Sequence, residues 1–181
     1  MVMKKFILFL FFNLFIAIVI GQNKQIDSLQ NIINTTKIDT IKGRTLCRLC
    51  TLLTLKKEFI EASVRGELGM EILQRVNDPE GIGDCSQSIA NAHLAQDDLS
   101  KALKYYQKSL SIYPPTTDAI KKIDALKNVA HTYYSMGDQS KSLEYYRQVL
   151  DLSIKSGKPD SAIKILNSFI GSIYKNQSML C

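Results

Sequence analysis

The sequence predicts an all-α solenoid of stacked helical hairpins behind an N-terminal export segment, and three observations carry that reading. The chain matches itself when shifted by 40 residues, its apolar residues recur with helical spacing, and one run near the start is apolar almost without interruption. Its 181 residues are 45% hydrophobic and 22% charged, with four Pro and no Trp. That composition is ordinary for a globular domain and excludes collagen, a largely disordered chain and a multi-span membrane protein.

The apolar run comes first. Phe6 to Ile20 is interrupted only by Asn13, follows Lys4 and Lys5 directly, and leads through Val19-Ile20-Gly21 to Gln22. A basic start, an apolar stretch of about 7 to 15 residues and a small residue at its exit make a secretory signal peptide. Residues 1–21 are therefore expected to be cleaved near Gly21, leaving an exported protein, periplasmic or secreted. The alternative is an uncleaved N-terminal membrane anchor, for which the run is short against the about 20 residues a spanning helix needs. Cleavage removes two of the 23 basic residues and none of the 17 acidic ones, so the formal net charge falls from +6 to +4. The remaining lysines are scattered among acids, so no nucleic-acid partner is expected.

In the body of the chain the shift sets Leu49 on Ile89 and Val129, and Cys50 on Ala90 and Ala130. Further along it sets Ala62 on Ala102 and Ser142, Met70 on Leu110 and Leu150, and Tyr105-Tyr106 on Tyr145-Tyr146. Each unit holds two stretches with helical apolar spacing and none with strand alternation, which makes it a helical hairpin. Units fall at 43–82, 83–122 and 123–163, followed by a partial unit at 164–181. Ahead of them, within 22–39, Ile26, Leu29, Gln30 and Ile33 predict a leading helix that shields the open end.

Turn chemistry supports the units. Asp39 or Thr40 is expected to cap the helix that follows, and Asp78-Pro79-Glu80 supplies a cap, a proline for the first turn and an acid for the helix dipole. Gly137 is suited to closing a first helix in the left-handed conformation, with Asp138 capping the next. Ala102 and Ser142 are small where two helices approach to about 8 to 10 Å, and Tyr106 and Tyr146 are expected to fill the core between units.

Counted from Ile123, the residues Leu126, Val129, Ala130, Tyr133, Gly137, Asp138, Ser142 and Tyr146 resemble the tetratricopeptide repeat family, whose unit is about 34 residues long. Ile89, Ala90, Asp98, Ala102, Tyr106 and Pro114 carry the same resemblance in the preceding unit, with Ser86 and His93 departing from it. The first unit keeps Leu46, Leu49, Cys50 and Ala62, but has Leu53 and Gly66 at aromatic positions. The resemblance implies a right-handed superhelical solenoid. The six residues beyond the family length are expected in the second helix of each pair or in the loop after it.

Partners in this family bind the concave face lined by the first helices. Carried onto this chain, that face runs from Arg44, Cys47, Thr51 and Thr54 through Asp84, Gln87, Asn91 and Leu94 to Asp124, Lys127, His131 and Tyr134. Gln87, Asn91, Lys127, His131 and Tyr134 are the residues expected to hold a protein or peptide. The lysine and asparagine of the family's two-carboxylate clamp do not occur together in one unit, since Lys127 and Asn91 stand in different ones. The implied function is a non-enzymatic binding scaffold outside the cytoplasm.

A signal peptide before 40-residue repeats also resembles the outer part of bacterial sensor kinases and regulators. The alternative is therefore a truncated extracytoplasmic sensory module, because the fourth unit breaks off after its first helix. Its apolar residues between 161 and 175, among them Ile165, Phe169 and Ile173, offer a surface for self-association.

Catalytic signals are weak. Cys47-Arg48-Leu49-Cys50 reads as a redox motif, yet it falls inside a repeat helix and not at the start of one after a strand, so two buried or half-buried thiols are expected. Four cysteines leave the pairing open. His93 and His131 stand in successive units without a neighbouring ligand cluster, so His93 reads as a packed residue and no metal or cofactor is expected.

Overall fold

The computed structural model describes residues 21–157 apart from Thr116, together with Lys164. The apolar run at 1–20 and nearly all of the partial fourth unit, including its self-association surface, lie outside the described residues.

Among the described residues the chain is helical, with no strand. Residues 21–35 form α1. Six helices follow: α2 (Asp39–Leu55), α3 (Phe59–Arg75), α4 (Pro79–Leu94), α5 (Leu99–Ile112), α6 (Ala119–Ser135) and α7 (Gln139–Lys155). They pair as the hairpins α2/α3, α4/α5 and α6/α7, each packed on the next. The first helices start at Asp39, Pro79 and Ala119 and the second helices at Phe59, Leu99 and Gln139, so the interval of 40 residues in the sequence is the interval of the fold.

Local chemistry explains the boundaries. Asp78 accepts from the Gly81 N–H at 3.0 Å, Asp98 from Lys101 at 3.1 Å, Asp118 from Ile120 at 2.9 Å and Asp138 from Lys141 at 3.0 Å. Each carboxylate satisfies a backbone donor that the helix itself leaves unpaired. α2 departs from the expected cap, since its N-cap is Ile38 and makes no side-chain cap bond. Asp39 already lies inside the first turn, where its charge acts on the helix dipole and not as a cap. At the other ends the chain turns through left-handed residues, and Lys57 (φ 66°), Asp97 (φ 60°) and Gly137 (φ 84°) do so 40 residues apart.

The residues beyond the family length meet the expectation only in part. They divide between a short connection, 77–78 or 117–118, and an extra first turn, 79–82 or 119–122, on the following first helix. The second helices are not where they go. Asp78, Pro79 and Asp118 start α4 and α6 early, which fixes the division.

The core follows from small residues at helix crossings. Ala62, Ala102 and Ser142 are fully buried, and Ser142 Oγ donates to the Ala130 carbonyl at 2.7 Å. Tyr106 and Tyr146 are buried beside Ala90 and Ala130. Gly66 stands where those tyrosines stand. A β-carbon there would lie 2.5 Å from Ile89 Cγ1 and 3.1 Å from Cys50 Sγ, so this unit closes by backbone approach and not around a ring. α1 lays Ile26, Leu29 and Ile33 onto this same first core, as a leading helix should.

Cys47 corrects the expectation of two thiols in the first unit. It forms a disulfide with Cys85 across the joint between α2 and α4, 38 residues away, with the two Cα atoms 4.9 Å apart. Among the described residues Cys50 is the one free thiol, and it is buried. The pairing arises because a separation near the repeat interval sets two residues side by side on neighbouring first helices.

Candidate functional site

The first helices α2, α4 and α6 carry the residues expected to face a partner, and the structure gives most of them partners within the chain. Arg44 reaches across the first joint to Asp78, Nε to Oδ2 at 2.7 Å and Nη2 to Oδ1 at 2.9 Å. Cys47 is consumed by its disulfide. Thr51 Oγ1 donates to Ser88 Oγ at 3.1 Å, and Thr54 Oγ1 donates to its own helix at the Cys50 carbonyl.

A polar network occupies the second joint. Lys121 Nζ lies 2.7 Å from Glu80 Oε1 and 2.7 Å from Asp84 Oδ2. Asp84 also accepts from the Tyr113 hydroxyl at 2.8 Å, and that hydroxyl accepts from Gln87 Nε2 at 2.7 Å. Gln87 Oε1 accepts in turn from Asn128 Nδ2 at 3.2 Å. Burial first, and then the Asp84 carboxylate, pushes the Tyr113 phenol above its ordinary range, so it stays a neutral donor. For Lys121 burial works to lower the ammonium, but hydrogen bonds to Asp84 and Glu80 outweigh it and hold the charge.

Tyr113 packs onto Gly83, where a β-carbon would come within 2.6 Å of the ring carbon Cδ1. This network was missed from sequence. Its only local signal is an aromatic residue at the end of a helix, just before Pro114-Pro115.

Of the five residues expected to bind a partner, Gln87 and Asn91 therefore serve the fold. Asn91 Oδ1 accepts from the Tyr106 hydroxyl, whose phenol burial pushes up to about 12. Lys127 is exposed enough to reach solvent and bonds Asp124 on its own helix at 3.0 Å. His131 is exposed on α6, and Tyr134 is half-buried against Ala130 and Tyr146. These three lie on one helix, past the network.

Open space lies at the other end. One cavity of about 510 Å³ is lined by Lys24, Gln25, Ser28 and Leu29 of α1 and by Arg48, Thr51 and Leu52 of α2. A second, of about 220 Å³, lies between α2 and α4, lined by Arg44, Cys47, Arg48, Thr51, Gly81, Asp84 and Ser88. Arg48 and Thr51 belong to both, so the two form one trough along the first helices. Its acid Asp84 and one of its cations, Arg44, are already paired, whereas Arg48 is exposed and Lys24 stands at the far wall.

The thiol chemistry is unsuited to exchange. Burial pushes Cys50 up to about 12, against a weaker opposing pull from Thr54, so it holds its proton at neutral pH. Cys47 pairs with Cys85 and not with Cys50, and the motif does not act as a unit.

The architecture defines a class: a helical-repeat protein whose first helices line an inner face and whose second helices form the outer layer. Residues 84–116 and 123–155 match the tetratricopeptide repeat family, so the chain contains tetratricopeptide repeats. A search of curated protein sequences gave no match.

Among solved structures it resembles a Rap protein complexed with competence and sporulation factor, at TM-score 0.70 and 16% identity over 89% of this chain and 48% of that one. It resembles a STAND signal-transduction ATPase with a tetratricopeptide repeat sensor from Pyrococcus horikoshii, at TM-score 0.73 and 18% identity over 87% of this chain and 26% of that one. A third likeness is to the nearly identical repeats of a putative kinesin light chain from Podosopora anserina, at TM-score 0.70 and 13% identity over 87% and 81%. At such identities the likeness is one of fold. The chain spans about half the length of the Rap protein and about a quarter of the ATPase.

Proposed function

We propose that the protein is a non-enzymatic scaffold that holds a protein or peptide segment along its first helices, outside the cytoplasm. The trough shared by α1, α2 and α4 carries this reading, because it is an open concave space among the described residues and Arg48 stands exposed in it. An extended segment seated there continues past the second joint to Lys127, His131 and Tyr134 on α6. Concave surfaces with a few fixed polar groups suit extended peptides, and the Rap protein's complex with a competence and sporulation factor is a precedent for the fold. The repeat fold is one typically used as a non-catalytic scaffold.

Export is supported by the apolar run at 1–20 and by the Cys47–Cys85 disulfide, since such bonds persist in oxidising compartments. A sensory portion of a signalling protein is the second reading, favoured by the likeness to the sensor repeats of the ATPase.

Selection of peptides from a displayed random library against the purified protein tests the scaffold reading. Enriched peptides should lose at least about tenfold in affinity on Arg48→Glu. No enrichment, or binding indifferent to Arg48→Glu, overturns it. Cell fractionation with mass analysis of the N-terminus tests export: a chain starting near Gln22 outside the cytoplasm is expected, and an uncleaved cytoplasmic chain refutes it.

A further inference from the structure

The outer face of α3 differs from that of its two counterparts. Ile60, Val64 and Leu68 lie four residues apart on one stripe of the helix and are 79%, 56% and 41% exposed. Leu55, at the end of α2, is 64% exposed. One repeat further on, the same three positions hold Ser100, Lys104 and Lys108, and one further again they hold Ser140, Glu144 and Gln148. The fold thus asks only for polar residues there, and the apolar stripe is a property of α3 and not of the repeat. Scattered apolar side chains need no explanation, whereas a stripe in register on a single helix does.

We propose that this stripe is where a second copy of the chain docks, with the two α3 helices packed antiparallel about a two-fold axis at Val64. The charges flanking the stripe fit this occupant. With Val64 facing its own symmetry mate, Ile60 lies against Leu68 of the second copy, and Lys57, in the turn just before α3, comes near Glu71 at both ends of the seam. Lys57 and Glu71 are exposed, and neither side chain has a hydrogen bond or ion pair among the described residues. Along one edge, Glu61 and Arg65, paired at 3.0 Å within the chain, come beside Arg65 and Glu61 of the second copy, so the ion pair extends across the seam. Isologous contacts of this kind place each residue against a complementary one twice over. Such a seam is smaller than the about 800 Å² per partner of a standard interface, so the dimer is weak and concentration-dependent. It also leaves the inner trough open, independent of what the trough binds.

Sedimentation equilibrium of the protein over a wide concentration range tests the proposal. The unaltered chain should move from monomer to dimer, and Val64→Lys should weaken association at least about tenfold with the helical circular dichroism unchanged. Lys57→Glu and Glu71→Lys should each weaken it, and the two together should restore it, because both symmetric pairs then reform with reversed sign. A chain that stays monomeric throughout overturns the proposal. So does self-association indifferent to Val64→Lys, a double variant no better than the single ones, or binding to lipid vesicles through Val64 with no change in mass.

Discussion

The Arg44 guanidinium grips the Asp78 carboxylate across the joint between the first two hairpins, with bonds of 2.7 and 2.9 Å, while the same carboxylate caps α4 through the Gly81 N–H. Asp78 thus stands between α3 and α4 and ties their connection to α2.

The Arg44 bond first, against opposition from burial, holds Asp78 below its ordinary range. A carboxylate with a lowered folded-state pKa stabilises the fold above its unfolded value of about 3.9 and loses that contribution as pH falls through the folded value. Replacing Asp78 by Ala should cost about 1 to 2 kcal/mol at neutral pH, mostly the lost cap. The difference from the unaltered chain should shrink in acid. Urea denaturation at both pH values checks the size and the sign.

Reducing the Cys47–Cys85 bond should lower the melting temperature. The bond closes a loop of 38 residues, for which chain-entropy arguments give about 4 kcal/mol as an upper figure. Thermal melts with and without reductant measure this, and non-reducing peptide mapping should recover Cys47 joined to Cys85, with Cys50 as a thiol. A reductant-insensitive melt contradicts the prediction.

His93 is buried and stacked on Tyr105, with ring centroids 5.7 Å apart. Burial first lowers its pKa, and Asp98 only partly offsets this. The unfolded chain therefore binds the proton more readily, and this residue's effect is to lose stability as pH falls below about 6.5. His93→Phe keeps the stack and should flatten the dependence of melting temperature on pH between neutral and mildly acidic solution. An unchanged slope refutes the assignment.

Asp97 and Gly137 occupy the same left-handed turn in successive units, at φ 60° and φ 84°. A side chain costs about 1 kcal/mol or somewhat more in that conformation, less for Asp than for most residues. Asp97→Gly should accordingly stabilise the protein by up to about 1 kcal/mol. Gly137→Ala should destabilise it by about as much, although open space surrounds the added methyl group. Chemical denaturation of the two variants gives opposite signs if the turns are equivalent.

These contrasts explain what the sequence could tell. The interval, the hairpins, the Asp78-Pro79 start and the Gly137-Asp138 turn are local, and their chemistry is complete within a few residues. Leading-helix residues Ile26, Leu29 and Ile33 were legible for the same reason. The inner face was not, because its polar residues are satisfied from other helices. Gln87 bonds Tyr113 and Asn128, and Asp84 bonds Lys121, 37 residues on. A face read one helix at a time looks available when the folded chain has already used it. The Cys47–Cys85 pair was within reach, since its separation is close to the repeat interval.

The joint between the first and second hairpins contains a covalent bond, whereas the joint between the second and third rests on the apolar contact of Ala90, Tyr106 and Val129 and on polar bonds from Lys121 and Asn128. Pulled from its two ends, such a chain does not yield evenly. The third hairpin can detach with only non-covalent contacts broken, whereas the first two stay tied at Cys47 and Cys85 even when unfolded. The array is in effect a ratcheted spring, compliant at one end and stopped at the other.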